Sequence, residues 1–394
     1  VAPDPRTWMV LPGLRADEWP LRIPPWPLPE REGQPIPEVL RHATGQNAPV
    51  DLSVAAVRAG RLHGRDEAPN RRRTTRSIGR GTIRAFIFPG QGSQSVGMGK
   101  GLADASPHAR AVFEEVDEAL GQRLSRLMWE GPEEELTLTA NAQPAIMAVG
   151  IACLRVLENE AGVRLADKAA FVAGHSLGEY TALCAAGSLG LADTARLLRL
   201  RGTAMQAAVP PGVGAMAALL GLDFETVTAI AAEASQGQVC AAANDNATGQ
   251  VVVSGHVEAV ARAMNLAKAK GARHSVLLPV SAPFHCPLMQ PAADAMAEAL
   301  AKAPLAAPTV PLVANVTAAP VTDTDEIRRL LVEQVCGTVR WRESVLAMAA
   351  LGVTGFVELG GKVLGPMIRR ITPDVPTITA ADMSGVEAIA AAIA

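Results

Sequence analysis

At 394 residues the chain is long enough for two domains, or for one large domain with an inserted module. Its 49% apolar and 19% charged residues describe an ordinary soluble globular protein, and a formal net charge of -3 gives no reason to expect a nucleic acid partner. The five cysteines, Cys153, Cys184, Cys240, Cys286 and Cys336, include no C-x-x-C pair, which argues against a metal site or a disulfide scaffold and suits a reducing cytoplasm.

Residues 1 to about 82 differ in kind from the rest. Prolines 20, 24, 25, 27, 29, 35 and 37 block helices and central strands alike, and the segment ends in Arg71-Arg72-Arg73-Thr74-Thr75-Arg76. It carries 13 Arg against 9 Asp and Glu, a net of +4, which leaves -7 for the remainder. A disordered Pro/Arg-rich extension is expected here, with a basic binding arm as the alternative. There is no basic-then-apolar leader and no run of about 18 uninterrupted apolar residues, so neither secretion nor a membrane span is expected.

From Ile83 the chain reads as alternating strands and helices. Ile83 to Phe88 is a short apolar strand that runs into Pro89-Gly90-Gln91-Gly92-Ser93-Gln94. A phosphate cradle fails on spacing, since G-x-G-x-x-G from Gly90 finds Ser95 where a Gly is needed. The loop instead offers a backbone free to approach a ligand, with Gln91 presented there. Helices are expected over 107–121 and 144–160, the second apolar nearly all round and therefore buried.

An apolar strand over 169–173 then ends in Gly174-His175-Ser176-Leu177-Gly178, and an Ala- and Leu-rich helical pattern starts at once. That order is a nucleophile elbow. Glycines flank Ser176 because strand and helix backbones nearly touch, and the helix aims free N–H groups at whatever the Ser attacks. G-x-S-x-G alone is a weak signal, so the remaining motifs must decide.

A helix is expected over 193–208. Arg196 and Arg199 share a face and read as solvated, whereas Arg201 lies among Leu197, Leu198, Leu200 and Met205, where an Arg is rarely buried without an anionic partner. After Pro210-Pro211-Gly212 the order is strand 214–220, helix 223–234, strand 239–243, hairpin turn 244–249, strand 250–254, helix 257–270 and strand 274–278. This is the βαββαβ order of a ferredoxin-like module. Pro283 and Pro287 then stiffen a loop around His285, which by itself is more often a structural hydrogen-bonder than a catalyst. Helix 291–302, strand 310–315, helices 326–335 and 341–351, strand 355–359 and a helix from Leu364 complete the α/β pattern, and the tail from Pro373 reads as peripheral.

With Gly174 to Glu179, the Pro89 to Gln94 loop and Ala282-Pro283-Phe284-His285 in hand, the chain resembles the malonyl-CoA:acyl carrier protein transacylases, and more distantly the acyltransferase domains of polyketide synthases. The likeness spans roughly residues 83–371 and includes Gln143-Pro144-Ala145, Arg201-Gly202, Gln250 to Gly255 and Glu358 to Leu364. It implies a hydrolase-like α/β domain over 83–211 and 280–394, with a parallel sheet, and a ferredoxin-like subdomain inserted over 212–279. It implies malonyl transfer from malonyl-CoA to the phosphopantetheine thiol of acyl carrier protein for fatty acid synthesis, without a cofactor, by a cytoplasmic monomer. Ser176 would be the nucleophile and His285 its base, oriented by a main-chain carbonyl near Gln334 where a hydrolase has a carboxylate. Gln91 and Leu177 would supply oxyanion-hole N–H groups, and Arg201 would grip the malonyl carboxylate. Phe284 would disfavour a methylmalonyl branch, and Asn244 and Asn246 would sit where the subdomain closes over the site. The rivals are a polyketide or malonate-decarboxylase acyltransferase and a serine esterase or thioesterase; an esterase needs an acid between 176 and 285, for which Asp245 is the nearest choice.

Overall fold

The computed structural model describes residues 82–280 and 282–393. The expected extension over residues 1–82 lies, Thr82 aside, outside the described residues. In chain order the strands are β1 (Arg84–Phe88), β2 (Ala169–Gly174), β3 (Gly214–Leu220), β4 (Cys240–Ala247), β5 (Gln250–His256), β6 (His274–Leu277), β7 (Leu312–Val313), β8 (Pro320–Val321), β9 (Gly355–Leu359) and β10 (Thr377–Ala380). Six of them form a sheet of order β10-β9-β1-β2-β7-β8, parallel except for β8, which returns antiparallel to β7. Beyond Arg84, β1 is an unbroken apolar run, as is β2, because helices cover both faces of a parallel sheet. Phe88 and Gly174 are register partners at their carboxyl ends, so the Gly-rich loop and the elbow leave the sheet side by side.

The other four strands form an antiparallel sheet of order β4-β5-β3-β6, the ferredoxin-like arrangement expected of βαββαβ. Alternation along its strands divides two jobs. Ala217, Leu219, Val251 and Val253 pack against the helices Phe224–Ser235 and Val257–Ala269, while Met216, Ala218 and Val252 turn to the main core. The sheet is tied to the parallel-sheet body at β4: Val339 N–H donates to the Ala243 carbonyl at 2.9 Å, and Asp245 N–H to the Val339 carbonyl at 3.0 Å.

Five expectations change. The helix expected from Pro144 begins at Thr139 and runs to Asn159 with Pro144 inside it; the proline removes one ladder bond, and the added turn carries Thr139 and Gln143 inward. This helix is the one described helix long and apolar enough to cross a membrane, but its residues are mostly buried in the core. The hairpin turn expected over 244–249 shrinks to Thr248-Gly249, because β4 continues through Ala247 once Val339 pairs with it and Arg342 neutralises Asp245. β7 stops at Val313, since the Asn315 N–H leaves the ladder for the Glu179 carboxylate. The tail is not peripheral: β10 covers the edge of β9, and the helix Met383–Ile393 buries Val386, Ile389 and Ile393. Arg199, expected in solvent, is half-buried.

Candidate active site

The elbow forms where β2 gives way to the helix Gly178–Ala185. A Cβ at Gly174 would lie 1.9 Å from the Gly178 carbonyl carbon, and one at Gly178 would lie 2.3 Å from the Phe88 carbonyl oxygen, so both glycines are demanded by backbone contact. Ser176 itself sits at φ 54°, in the left-handed region that costs a side-chain-bearing residue about 1 to 2 kcal/mol. Asn315 holds it there. Its Oδ1 accepts from the Ser176 N–H at 2.8 Å, and its Nδ2 donates to the Gly174 carbonyl at 2.7 Å. Asn315 is fully buried, and replacing it with alanine strands both elbow groups. Asn315→Ala is therefore expected to destabilise the fold by about 2 to 4 kcal/mol, read as a fall in thermal midpoint.

Ser176 Oγ and His285 Nε2 are 2.8 Å apart. His285 Nδ1 lies 2.8 Å from the Gln334 main-chain oxygen. A carbonyl can only accept, so Nδ1 carries the proton and the Nε2 lone pair faces the hydroxyl. The carbonyl is free because Gln334 stands in the last turn of the helix Thr324–Cys336, whose final carbonyls have no partner within the helix. The negative end of that helix dipole also favours a proton held on Nδ1. Burial, and then the Arg201 charge, lower His285 to about 3, so the imidazole is neutral and able to accept a proton.

Arg201 comes from the helix Leu191–Ala207, which approaches the helix Thr139–Asn159 closely at Gly202, where a Cβ would stand 2.6 Å from the Ala140 Cα. Arg201 is 1% exposed. It donates to Gln143 Oε1 at 2.8 Å, to Gln334 Oε1 at 2.8 Å and to Ser176 Oγ at 3.1 Å, all neutral acceptors. Its Nε has no partner, and among the described residues it makes no ion pair. A buried cation with a spare donor, 3.1 Å from the Ser176 hydroxyl oxygen, has the chemistry to seat an anion.

Gln91 and Leu177 line the same cleft, with Phe284, Asn244, Asn246 and the apolar Met216, Val252 and Leu278. Among the described residues neither the Gln91 nor the Leu177 N–H has a hydrogen-bond partner. Gln91 is held by its side chain, whose Oε1 accepts from Thr139 Oγ1 at 3.0 Å. Asn246 Oδ1 lies 2.8 Å from Nε2 of His175, which burial lowers to about 4, so this contact links the small sheet to the elbow. Every site residue expected from the sequence thus meets in one cleft or, for Gln334, directly behind it. Asp245 does not join them, because both its oxygens face Arg342 Nε at 2.9 and 3.1 Å.

Sequence reasoning missed Asn315 and Thr139, and it quoted His175 and Glu179 only as part of the elbow motif. It quoted Gln143 without giving it a role. Asn315 had one usable signal, a polar residue at the carboxyl end of a parallel strand, the edge where such sheets place their ligands.

Fold and cleft together define the class, an acyltransferase built on an α/β sheet. The chain belongs to the acyl transferase domain family, whose sequence model matches residues 85–362. Over 310 residues it is 47% identical to the malonyl CoA-acyl carrier protein transacylase of Escherichia coli (strain K12), covering 78% of this chain and 98% of that one. The crystal structure of acyl-carrier-protein-S-malonyltransferase from Bartonella henselae matches with a TM-score of 0.77 and 52% identity, over 79% of this chain and 99% of that one. A malonyl-transacylase solved with a type II PKS acyl-carrier protein matches at 0.76 and 39%, over 79% and 100%.

Proposed function

We propose that this protein moves malonyl from malonyl-CoA to the phosphopantetheine thiol of acyl carrier protein, feeding fatty acid synthesis. The observation that carries the reading is the buried Arg201 guanidinium, unpaired by any described carboxylate and 3.1 Å from Ser176 Oγ. An acyl chain of three carbons on that oxygen keeps its own carboxylate beside the guanidinium. The named relatives act on malonyl-CoA and acyl carrier protein, in line with this.

In the acylation half, Ser176 Oγ attacks the thioester carbonyl while His285 Nε2 takes its proton. The oxyanion faces the Gln91 and Leu177 N–H groups, each worth about 3 to 4 kcal/mol in such a hole. Collapse breaks the carbon–sulfur bond, and the departing CoA thiolate takes the proton from His285. In the second half His285 removes the proton of the pantetheine thiol, the sulfur attacks the malonyl ester, and Ser176 leaves with that proton. The steps use the Ser176 and His285 side chains, two main-chain N–H groups, the malonyl thioester and the acceptor thiol. All five cysteines are free thiols, which suits the cytoplasm, and we place the working form there as a monomer.

The test is transfer to purified acyl carrier protein, with malonyl-CoA and acetyl-CoA compared by mass of the product. A chain that hydrolyses esters but loads no carrier protein sinks the reading. Phe284 lines the cleft immediately before His285. Phe284→Ser is expected to raise methylmalonyl transfer relative to malonyl by about 10-fold, measured in direct competition, because it removes bulk beside the acyl α-carbon.

A further inference from the structure

Glu179 is the third residue after the nucleophile and is 1% exposed. Its Oε2 accepts from the Asn315 N–H at 3.0 Å and from Gln334 Nε2 at 2.8 Å, while Oε1 has no partner. The other end of the same Gln334 amide, Oε1, accepts from Arg201 Nη2 at 2.8 Å. One amide therefore stands between a buried carboxylate and a buried guanidinium, its N–H end toward the anion and its C=O end toward the cation. That orientation is fixed twice over. Gln334 Nε2 also donates to the Ser176 carbonyl at 3.0 Å, which can only accept, and a guanidinium can only donate.

Resting on the reading of Arg201 as the malonyl clamp, we propose that Glu179 is a positioning residue whose carboxylate, acting through the Gln334 amide, balances the buried Arg201 cation so that the clamp holds malonyl without locking it. The same cation bears on the imidazole. Arg201 opposes a second positive charge on His285, and an anion behind Arg201 relieves that opposition. Arg201 is the charged side chain that acts on Glu179, and burial pushes the Glu179 carboxyl up to about 7. Above that value the carboxylate is ionised, and the pair presents the acyl cleft with a cation whose field is partly cancelled.

The experiment is single-turnover acylation of Ser176 at about pH 8, above the Glu179 value, with malonyl-CoA and acetyl-CoA varied separately. Glu179→Gln keeps the shape and removes the charge. It is expected to lower the half-saturating malonyl-CoA concentration about 5-fold and the maximal acylation rate about 10-fold, while leaving half-saturation by acetyl-CoA unchanged. Glu179→Asp keeps the charge and shortens the side chain, and it is expected to hold half-saturation by malonyl-CoA within about 2-fold of the parent. A structural role alone gives the reverse ranking, with the isosteric Gln variant nearer the parent. That ranking, or equal tightening toward malonyl-CoA in the Asp variant, overturns the proposal. Failure of the parent itself to take malonyl overturns the underlying reading of the site instead.

Discussion

Ser176→Ala is expected to abolish malonyl transfer, lowering the rate by at least about 10⁴-fold, because the nucleophile of a two-step mechanism has no substitute. The direct measurement is intact mass after mixing with malonyl-CoA alone. The parent gains one malonyl group and the variant gains none. The variant should still fold. Residue 176 keeps its left-handed backbone through Asn315 and the Gln334 amide, neither of which touches its side chain, so the thermal midpoint should stay within about 3 °C of the parent. His285→Ala is expected to fall nearly as far, and the double variant hardly further, since hydroxyl and imidazole act as a unit. A malonyl adduct on the alanine variant would move the nucleophile elsewhere. Cys286 adjoins His285 in sequence, but its thiol donates to the Pro283 carbonyl and burial raises it, so it offers no ready substitute.

Much of this site was legible before any fold was known, and for identifiable reasons. The elbow announces itself because its glycines are required by local backbone contact, which leaves a mark in a five-residue window. Arg201 could be picked out because a cation on an apolar helix face contradicts its surroundings. The ferredoxin-like order could be read because each of its elements is short, amphipathic and punctuated by turns. What stayed hidden has a common character. Asn315 and Glu179 meet across 136 positions of chain, and Gln334 reaches Ser176 across 158, so no local spacing records either contact. Gln334 was foreseen for its carbonyl, through resemblance, but not for its side chain. Pro144 misled because its cost to a helix was overcome by burial of the turn preceding it, a tertiary gain that propensity cannot see.

The hidden contacts form the support of the visible ones. Arg201 is joined through Gln143 and Thr139 to Gln91, with Gln143 Nε2 to Thr139 Oγ1 at 2.9 Å and Thr139 Oγ1 to Gln91 Oε1 at 3.0 Å. It is joined through Gln334 to Ser176 and Glu179. Arg201 and the Gly-rich loop at Gln91 are thus one hydrogen-bonded assembly, with amides as its connectors. Amides suit this work because each offers a donor end and an acceptor end without adding charge to a site that already buries a cation.

Arg201→Ala carries the second large expectation, and it separates acyl selection from acyl transfer. Removing the guanidinium takes a charged fork from the malonyl carboxylate in a buried setting, where loss of one partner costs about 2 to 5 kcal/mol. Malonyl transfer is therefore expected to fall about 10²- to 10³-fold. Acetyl has no carboxylate to lose, so its transfer should change by less than about 10-fold and the preference for malonyl should collapse. The pH profile gives an independent sign. Burial is the larger cause of the lowered His285 value and remains, but the Arg201 charge is the second cause and is removed. The His285 value must then rise, though burial keeps it below the ordinary imidazole range. The acid limb of the acylation rate, followed with acetyl-CoA so that no substrate carboxylate intervenes, should accordingly move to higher pH in the variant. Arg201→Lys keeps the charge but not the fork, so it should leave the acid limb near the parent's position while still losing most malonyl preference. If the alanine variant transferred malonyl as well as the parent and still refused acetyl, selection would have to arise elsewhere in the cleft, and Arg201 would be left as a structural cation beneath Tyr180.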